Sequence, residues 1–305
     1  MDVGVIGVGT MGKNHVRVYS ELRGVNSLGI YDVNTQAAKE LGEKHGATVY
    51  GSIGELLDNS DAVSVVVPTQ FHSSVVTQVF SKKKSVLIEK PICATADEAK
   101  QLMKKAPEGI IIGVGHIERF NPIVAEIKKI INKPLYVELK RHNPASARIT
   151  GSSVVEDLMI HDIDILLNVF FPNPCNIYSV GNADVMSVLM NCNNIPVSLS
   201  ASRKASKKIR IFYVEDADFT IEGNFMTQEV NIYRKPAQYQ IEAERYVQEN
   251  IIEKVMVNTV EPLKRELETF IDCVKKNRPF PITAEQAIRN LEFCEKISSA
   301  TLNPE

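Results

Sequence analysis

Three glycines near the start of the chain stand at the spacing of a phosphate-binding turn. The segment Gly7-Val8-Gly9-Thr10-Met11-Gly12 follows the apolar run Val3 to Ile6 and opens a helical pattern that continues to about Leu22. Between a strand and a helix, the first glycine permits a tight turn, the second lets the backbone approach a pyrophosphate, and the third lets the helix pack on the strand. The helix start also offers free N–H groups to phosphate. We therefore predict that a dinucleotide contacts Gly7, Gly9, Thr10, Met11 and Gly12.

An acidic residue follows the second predicted strand. The run Ser27 to Tyr31 ends at Asp32, twenty residues after Gly12. A carboxylate there can accept hydrogen bonds from both hydroxyls of an adenosine ribose. It would also repel a 2′-phosphate, by up to about 4 kcal/mol for like charges ~4 Å apart at an effective dielectric of ~20. Because no arginine follows within the next four residues, the sequence predicts NAD in preference to NADP.

Two titratable side chains stand four residues apart in another predicted helix. Asp157 and His161 lie in the pattern from Val154 to about Phe170, so they share a helix face, which Asp164 continues. Oxidation of an alcohol releases the hydroxyl proton as hydride leaves the carbon, and histidine has a pKa suited to receiving that proton. Taken alone, the pair could also be an ordinary helix pair. We interpret Asp164 as a structural residue.

The elements that would position these residues alternate over the first 118 residues. Strand-like runs at 48–50, 62–67, 85–88 and 109–114 are separated by helical patterns at 37–45, 53–58, 73–80 and 95–105. This alternation predicts a doubly wound parallel sheet of the α/β class. Such a sheet binds ligands beyond the carboxyl ends of its strands, which is where Gly7, Asp32, Pro68 and Lys90 stand.

The pattern changes at about residue 119. Asn121-Pro122 opens a helix to Ile131, and a strand at 135–141 is followed by a polar loop and the helix that carries His161. Six strand-like runs between 176 and 233 alternate in polarity, which predicts an antiparallel sheet with one wet or interface face. Two helices, at 261–276 and 284–300, come last. We therefore divide the chain into a dinucleotide-binding domain, 1–118, and a second α/β domain, 119–305, with an open, mostly antiparallel sheet.

Four motifs in register resemble the Gfo/Idh/MocA oxidoreductase family over essentially the whole chain. They are the Gly7 to Gly12 segment, Pro68-Thr69-x-x-His72, Glu89-Lys90-Pro91 and Asp157-x-x-x-His161-x-x-Asp164. The resemblance implies an N-terminal Rossmann domain and a C-terminal domain whose open sheet joins copies into a homodimer or homotetramer. It also implies that the last helix packs back on the first domain. The implied reaction is hydride transfer between a sugar or polyol hydroxyl and NAD(P).

The resemblance also implies roles for individual residues. His161 would accept the proton, Asp157 would orient its ring, and Lys90 would donate to the reacting oxygen, although family members differ on whether the lysine or the histidine takes the proton. Residues at two strand ends would contact the cofactor: Pro68, Thr69, His72, Glu89 and Lys90. Arg119, Asn121 and Arg148 could meet the substrate. For Arg119 and Asn121, the alternative that they are surface residues at the start of a helix, without a substrate contact, is equally open.

The substrate follows from a narrower resemblance. Gly115 to Pro122 and Glu261 to Leu263 resemble the small family members that oxidise a nucleotide sugar, UDP-N-acetylglucosamine-like, at C3. The alternatives are an inositol, free-sugar or polyol dehydrogenase and, from another class, a non-catalytic NAD-binding regulator. Lys90, Asp157 and His161 together favour an enzyme, because a sensor needs no proton acceptor. One departure from the family pattern is Lys82-Lys83-Lys84, where relatives often have Gly-Lys-His.

Composition excludes several other classes. The 305 residues carry 35 Lys and Arg against 37 Asp and Glu, a net charge of −2, so no global field attracts nucleic acid or an anionic membrane. No apolar run reaches the ~18 residues of a membrane span. Five cysteines without CxxC spacing indicate a reducing compartment, and we expect a cytoplasmic protein. The histidines show no metal-ligand spacing, so no metal is predicted.

Overall fold

The computed structural model describes residues 1–144, 152–172, 176–235, 239–242, 245–248 and 251–302. The chain forms two compact units, Met1–Phe120 with Glu261–Glu292, and Asn121–Val260 with Phe293–Glu305. The sequence predicted a boundary after residue 118, with residues 119–305 forming the second domain and the last helix packing back on the first. In the structure the segment Glu261–Glu292 instead completes the first unit.

The apolar runs of the first unit form a six-stranded sheet. Its strands are β1 (Asp2–Ile6), β2 (Ser27–Tyr31), β3 (Thr48–Val49), β4 (Ala62–Val65), β5 (Ser85–Glu89) and β6 (Ile112–Gly115). Their order is β3-β2-β1-β4-β5-β6, and every neighbouring pair is parallel. The connection after β1 leads toward one edge of the sheet and the connection after β4 leads toward the other. A cleft therefore forms between the carboxyl ends of these two neighbouring strands.

Helices connect these strands, and local sequence signals fix their starts. They are α1 (Thr10–Glu21), α2 (Thr35–His45), α3 (Ile53–Asp58), α4 (His72–Ser81) and α5 (Ala96–Met103). The Ser52 and Thr95 hydroxyls accept from the backbone N–H groups of Glu55 and Glu98, each at 3.1 Å, so a Ser/Thr-x-x-Glu capping signal begins α3 and α5. These helices therefore begin where the sequence places a cap.

A helix far along the chain completes the core of the first unit. The helix α8 (Pro262–Lys275) buries Leu263, Leu267 and Phe270 among the apolar residues of the first 120. The Phe270 and Phe280 rings meet edge to face, with centroids 6.0 Å apart. The apolar face of a helix such as α8 packs against any surface that it fits, and the position of the helix in the sequence does not determine which surface that is. The predicted boundary missed this segment for that reason.

The lysine run at the end of α4 occupies a turn that suits glycine. Lys83 has φ of +49°, in the left-handed region that is costly for a residue with a Cβ atom. Lys82, which stands where relatives often have the glycine, has φ of −96° and needs no glycine. The departure from the family pattern leaves the strand that follows, β5, in register with β4.

The second unit is built on a nine-stranded sheet. Its order is β16-β13-β12-β11-β7-β10-β9-β8-β17, and a separate hairpin joins β14 to β15. Neighbours are antiparallel except for the parallel pairs β7–β10 and β8–β17. The strands are β7 (Pro134–His142), β8 (Ile177–Gly181), β9 (Val185–Cys192), β10 (Ile195–Ser202), β11 (Ile209–Asp216), β12 (Phe219–Asn224), β13 (Glu229–Arg234), β14 (Tyr239–Glu242), β15 (Arg245–Gln248), β16 (Ile252–Lys254) and β17 (Thr301–Leu302).

Helices cover one face of this sheet. They are α6 (Pro122–Ile130) and the helical segment 155–170, in which α7 (Ile160–Ile165) is flanked by π-helical turns at Val155–Met159 and Leu166–Phe170. Alternate strand residues such as Val137, Leu139 and Phe212 pack with these helices in one apolar core. The alternation predicted this arrangement, but β14 to β17 were not predicted.

The last helix, α9 (Ala284–Ser299), contributes its residues as far as Glu292 to the first unit and the remainder to the second. Among the described residues, no helix combines the length and the apolar character that a membrane crossing requires.

Candidate active site

The glycine turn after β1 is shaped by two close backbone approaches. Gly7 has φ of +98°, and a Cβ atom there would lie 2.7 Å from the Val66 carbonyl oxygen. A Cβ atom on Gly12 would lie 2.0 Å from the Gly7 carbonyl oxygen, so α1 can start this close to the strand only at a glycine. Gly9 differs, because a Cβ atom there would meet nothing within 4 Å. Its open side borders a cavity.

Asp32 is tied to this turn by backbone hydrogen bonds. Its Oδ2 accepts from the Val8 N–H at 2.6 Å, and its Oδ1 accepts from the Asn34 N–H at 2.8 Å. Each carboxylate oxygen has two lone pairs, so each can still accept from a ribose hydroxyl. The acid is thus held at a fixed distance from the glycines before any ligand arrives.

A cavity of about 690 Å³ extends along the carboxyl ends of the strands. The predicted residues that line it are Gly7, Gly9, Thr10, Met11, Asp32, Pro68, Glu89 and Lys90. The apolar lining residues that sequence reasoning missed include Val33, Ile53 and Phe71. Val33 is 88% exposed and Phe71 48%, and both closely follow strand ends, a position at which an exposed apolar side chain could have indicated a binding surface.

The far end of the cavity is formed by the end of β5. Glu89 is nearly buried and Lys90 half-buried, and the Lys90–Pro91 peptide bond is cis. The Glu89 carboxylate contacts the buried His15, with Nε2 and Oε1 2.9 Å apart. Burial favours a higher pKa for Glu89, but the hydrogen bond from His15 and the positive charge of Lys90 hold the pKa below its usual value.

Two predicted cofactor residues lie behind the cavity wall. His72 is 1% exposed, with Nε2 2.8 Å from the Val67 carbonyl oxygen and Nδ1 3.3 Å from that of Ile92. Burial lowers the pKa of His72, and the backbone contacts act in the opposite direction. A neutral ring has one N–H, which Nε2 donates to the Val67 carbonyl, so His72 ties the start of α4 to the segment that follows β4. Thr69 begins the short turn Thr69–Phe71 and is half-buried.

The second unit holds the predicted acid–base pair. Asp157 lies in the first π-helical turn of the segment 155–170, and His161 lies in α7. Both side chains are half-buried. The sequence predicted one regular helix here, whereas the structure places the pair on either side of a change in helical pitch. Such π turns recur at functional sites. Asp164 is fully buried and accepts from the Asn168 amide at 3.0 Å, which fits a structural residue.

A buried ion pair fixes the rotation of α7. Asp162, next to His161, accepts hydrogen bonds from Arg141 of β7: Nη2 donates to Oδ1 at 2.7 Å, and Nε lies 3.1 Å from both carboxylate oxygens. Both side chains are almost fully buried, and the guanidinium also lies 5.2 Å from the Phe225 ring. Since Asp162 must face the sheet to reach Arg141, its neighbour His161 faces another way. The alternation of β7, which places Arg141 on the buried side with Val137 and Leu139, was the available signal for this pair.

The three predicted substrate residues have different surroundings. Arg119 is half-buried, and its Nη2 donates to the Gln286 side chain at 3.2 Å. Asn121 is 2% exposed; its Oδ1 accepts from the Ile123 N–H and its amide donates to the Phe225 carbonyl at 3.0 Å. This burial argues against a substrate contact by Asn121. Arg148 lies outside the described residues. The substrate roles of all three stay predictions.

Residues 1–120 match the family model described as an oxidoreductase family with an NAD-binding Rossmann fold, GFO_IDH_MocA. The chain belongs to this Gfo/Idh/MocA family of oxidoreductases, and its fold is that of the family.

Among its relatives is the UDP-N-acetylglucosamine 3-dehydrogenase of Acidithiobacillus ferrooxidans, which is 30% identical over 92% of this chain and 90% of its own length. A crystal structure of that enzyme superposes with a TM-score of 0.87 at 26% identity, covering 99% of this chain and 97% of the other. The inositol 2-dehydrogenase/D-chiro-inositol 3-dehydrogenase of Shouchella clausii is 30% identical over 54% of this chain and 51% of its own length. A scyllo-inositol dehydrogenase from Lactobacillus casei, solved with NAD(H), shares the fold at 16% identity, with a TM-score of 0.80 over 99% of this chain and 96% of its own.

The first unit has the features that a nicotinamide dinucleotide requires. The open side of Gly9 leaves space for a pyrophosphate, and α1 begins there without a side chain that could compete for its first N–H groups. Asp32 stands on one side of this point, and Glu89 and Lys90 stand on the other. These residues would hold the two nucleoside ends.

Substitutions in the glycine turn should separate binding from folding. We expect Gly9→Ala to fold with a free energy of unfolding within about 1 kcal/mol of the parent, but to bind NADH at least about tenfold more weakly, because its methyl group enters the pyrophosphate space. Gly12→Ala should lose about 1–3 kcal/mol of stability through the clash with Gly7. Urea unfolding and NADH fluorescence titration measure both effects. Unchanged NADH affinity in folded Gly9→Ala would contradict this assignment.

Proposed function

We propose that the chain is an NAD-dependent dehydrogenase that oxidises a nucleotide sugar, resembling UDP-N-acetylglucosamine, at C3. The extent of similarity carries this proposal. The relative with that name matches 92% of this chain and 90% of its own length, so the similarity includes both units. The inositol dehydrogenase of Shouchella clausii matches only 54% of this chain. Because the second unit carries Asp157, His161 and the predicted substrate residue Asn121, a sequence match across both units favours the nucleotide sugar over a polyol.

The proposed chemistry assigns separate roles to three side chains. Bound NAD supplies the acceptor for the hydride that leaves the sugar carbon. We assign His161 as acceptor of the hydroxyl proton and Asp157 as the residue that orients its ring. We assign Lys90, half-buried at the rim of the cavity, to donate to the reacting oxygen and stabilise developing alkoxide charge. Because either Lys90 or His161 could take the hydroxyl proton, both residues are tested.

The test is a substrate panel with matched variants. With NAD⁺, we expect NADH formation from UDP-N-acetylglucosamine and little from myo-inositol or free glucose. His161→Ala and Lys90→Ala should each reduce kcat at least about 100-fold, the lower range for acid–base catalysis, while NADH still binds. His45→Ala, which alters a half-buried histidine that does not line the cavity, is the control and should keep the parental rate. Turnover of inositol in place of the nucleotide sugar would support the polyol alternative. Tight NADH binding without turnover of any substrate would support the regulator.

The proposed preference for NAD rests on Asp32. Replacement by alanine removes the acceptor for the ribose hydroxyls and the charge that would repel a 2′-phosphate. We expect Asp32→Ala to change the ratio of NADH to NADPH dissociation constants at least about tenfold in favour of NADPH, measured by fluorescence titration. Asp58→Ala, an exposed acid paired with Lys82, is the control for a general loss of negative charge. An unchanged ratio in Asp32→Ala would refute this role.

We further propose that copies of the chain join through the open face of the nine-stranded sheet, as a homodimer or homotetramer. Tyr178 and Leu189 stand opposite each other on β8 and β9 and are 66% and 51% exposed, and Val180 beside them is 57% exposed. Such a patch suits a second copy of the same surface. The odd number of cysteines supports a cytoplasmic location for this assembly.

Charge placed in the patch should break the assembly. Leu189→Glu is expected to sediment as a smaller species than the parent, because ionised glutamates would meet across the interface. Met226→Glu changes a side chain that is 50% exposed outside the patch and should sediment as the parent does. Analytical ultracentrifugation makes the comparison. A parent that is already monomeric would rule out the proposal.

A further inference from the structure

Behind the strand end that carries Lys90 lies a buried histidine–carboxylate pair. The Nε2 atom of His15, in α1, is 2.9 Å from Oε1 of Glu89, and the two side chains are 0% and 9% exposed. An ionised carboxylate can only accept, so the His15 Nε2 carries the proton and donates it. The second oxygen, Oε2, accepts from the Lys90 backbone N–H at 3.2 Å. The carboxylate is therefore held from two sides.

The pair is oriented with respect to the cavity. Glu89 lines the cavity, whereas His15 lies fully inside the first unit, against Tyr19. The negative end of the pair consequently faces the cavity, whether the imidazole is neutral or protonated. The Tyr19 hydroxyl is hydrogen-bonded to the Ser64 hydroxyl at 2.8 Å, so it does not compete with His15 for the Glu89 carboxylate. In an environment of low dielectric, a fixed charge at a cavity wall acts strongly on a ligand charge nearby.

The topology indicates which part of the cofactor this charge would meet. Asp32, at the end of β2, suits the adenosine ribose, and Gly9 suits the pyrophosphate. The rest of the cavity lies at the ends of β4 and β5, where Pro68, Glu89 and Lys90 stand, and this part would receive the nicotinamide nucleoside. The nicotinamide ring carries a positive charge when oxidised and none when reduced.

We propose that the Glu89 carboxylate, held in place by His15, favours bound NAD⁺ over bound NADH, and that His15 is a positioning residue for this charge. The effect would bias the bound cofactor toward the form that accepts hydride. It rests on dinucleotide binding by the first unit and is independent of which sugar the protein oxidises.

The test measures dissociation constants for both cofactor forms, with NADH followed by fluorescence and NAD⁺ by calorimetry, in the full-length protein without substrate. Glu89→Gln keeps the shape and removes the charge, and should raise the ratio of the NAD⁺ to the NADH constant about tenfold, which corresponds to about 1.4 kcal/mol. His15→Leu removes the donor and should raise the ratio by a smaller factor, about threefold. His15→Gln, which restores a donor, should return the ratio toward that of the parent.

Tyr19→Phe is the matched control, because it alters a buried neighbour of His15 and leaves Glu89 and its donor unchanged. Its ratio should equal that of the parent. Equal weakening of both cofactor forms in Glu89→Gln, or an unchanged ratio, overturns the proposal by showing a structural role alone. If His15→Leu does not fold, Glu89→Gln and His15→Gln decide the matter. Because no sugar is present, the outcome is separate from the substrate panel.

Discussion

The close approach of the α1 backbone to the Gly7 carbonyl is the contact on which the first unit depends. The space at Gly12 admits no Cβ atom, so the helix start and the strand end are fixed to one another within a fraction of an ångström. Asp32 is bound to the same turn through the Val8 N–H. Two groups that are predicted to bind the dinucleotide, and that follow different strands, are therefore held by the same turn. The strand order β3-β2-β1-β4-β5-β6 then opens the cavity beside it.

Much of the first unit could be predicted because local sequence signals determine its strands, helices and turns. The glycine spacing, the apolar strands and the Ser/Thr-x-x-Glu caps each act over a few residues, and the structure contains the strands and helices of the first unit close to where they were predicted. The parallel sheet followed from the alternation of these elements. Most of the predicted cofactor residues line the cavity because the carboxyl ends of parallel strands meet at one edge.

What could not be predicted depends on partners distant in the chain. His15 and Glu89 are 74 residues apart, and Arg141 and Asp162 are 21 apart on a strand and a helix. Each of these residues has another polar residue beside it in the sequence, and only the fold shows which two meet. The π-helical turns around α7 likewise have no signature in the apolar periodicity. The assignment of α8 to the first unit was missed because many apolar surfaces could have accepted its stripe.

The discontinuity of the first unit has a consequence for biosynthesis. Translation delivers Met1–Phe120 first, but the segment Glu261–Glu292 that completes its core follows only after the strands of the second unit have been made. Until then the nascent chain exposes the surface that Leu267 and Phe270 later cover. The nucleotide-binding unit therefore cannot mature ahead of its neighbour on the ribosome, and the two units become complete at nearly the same moment.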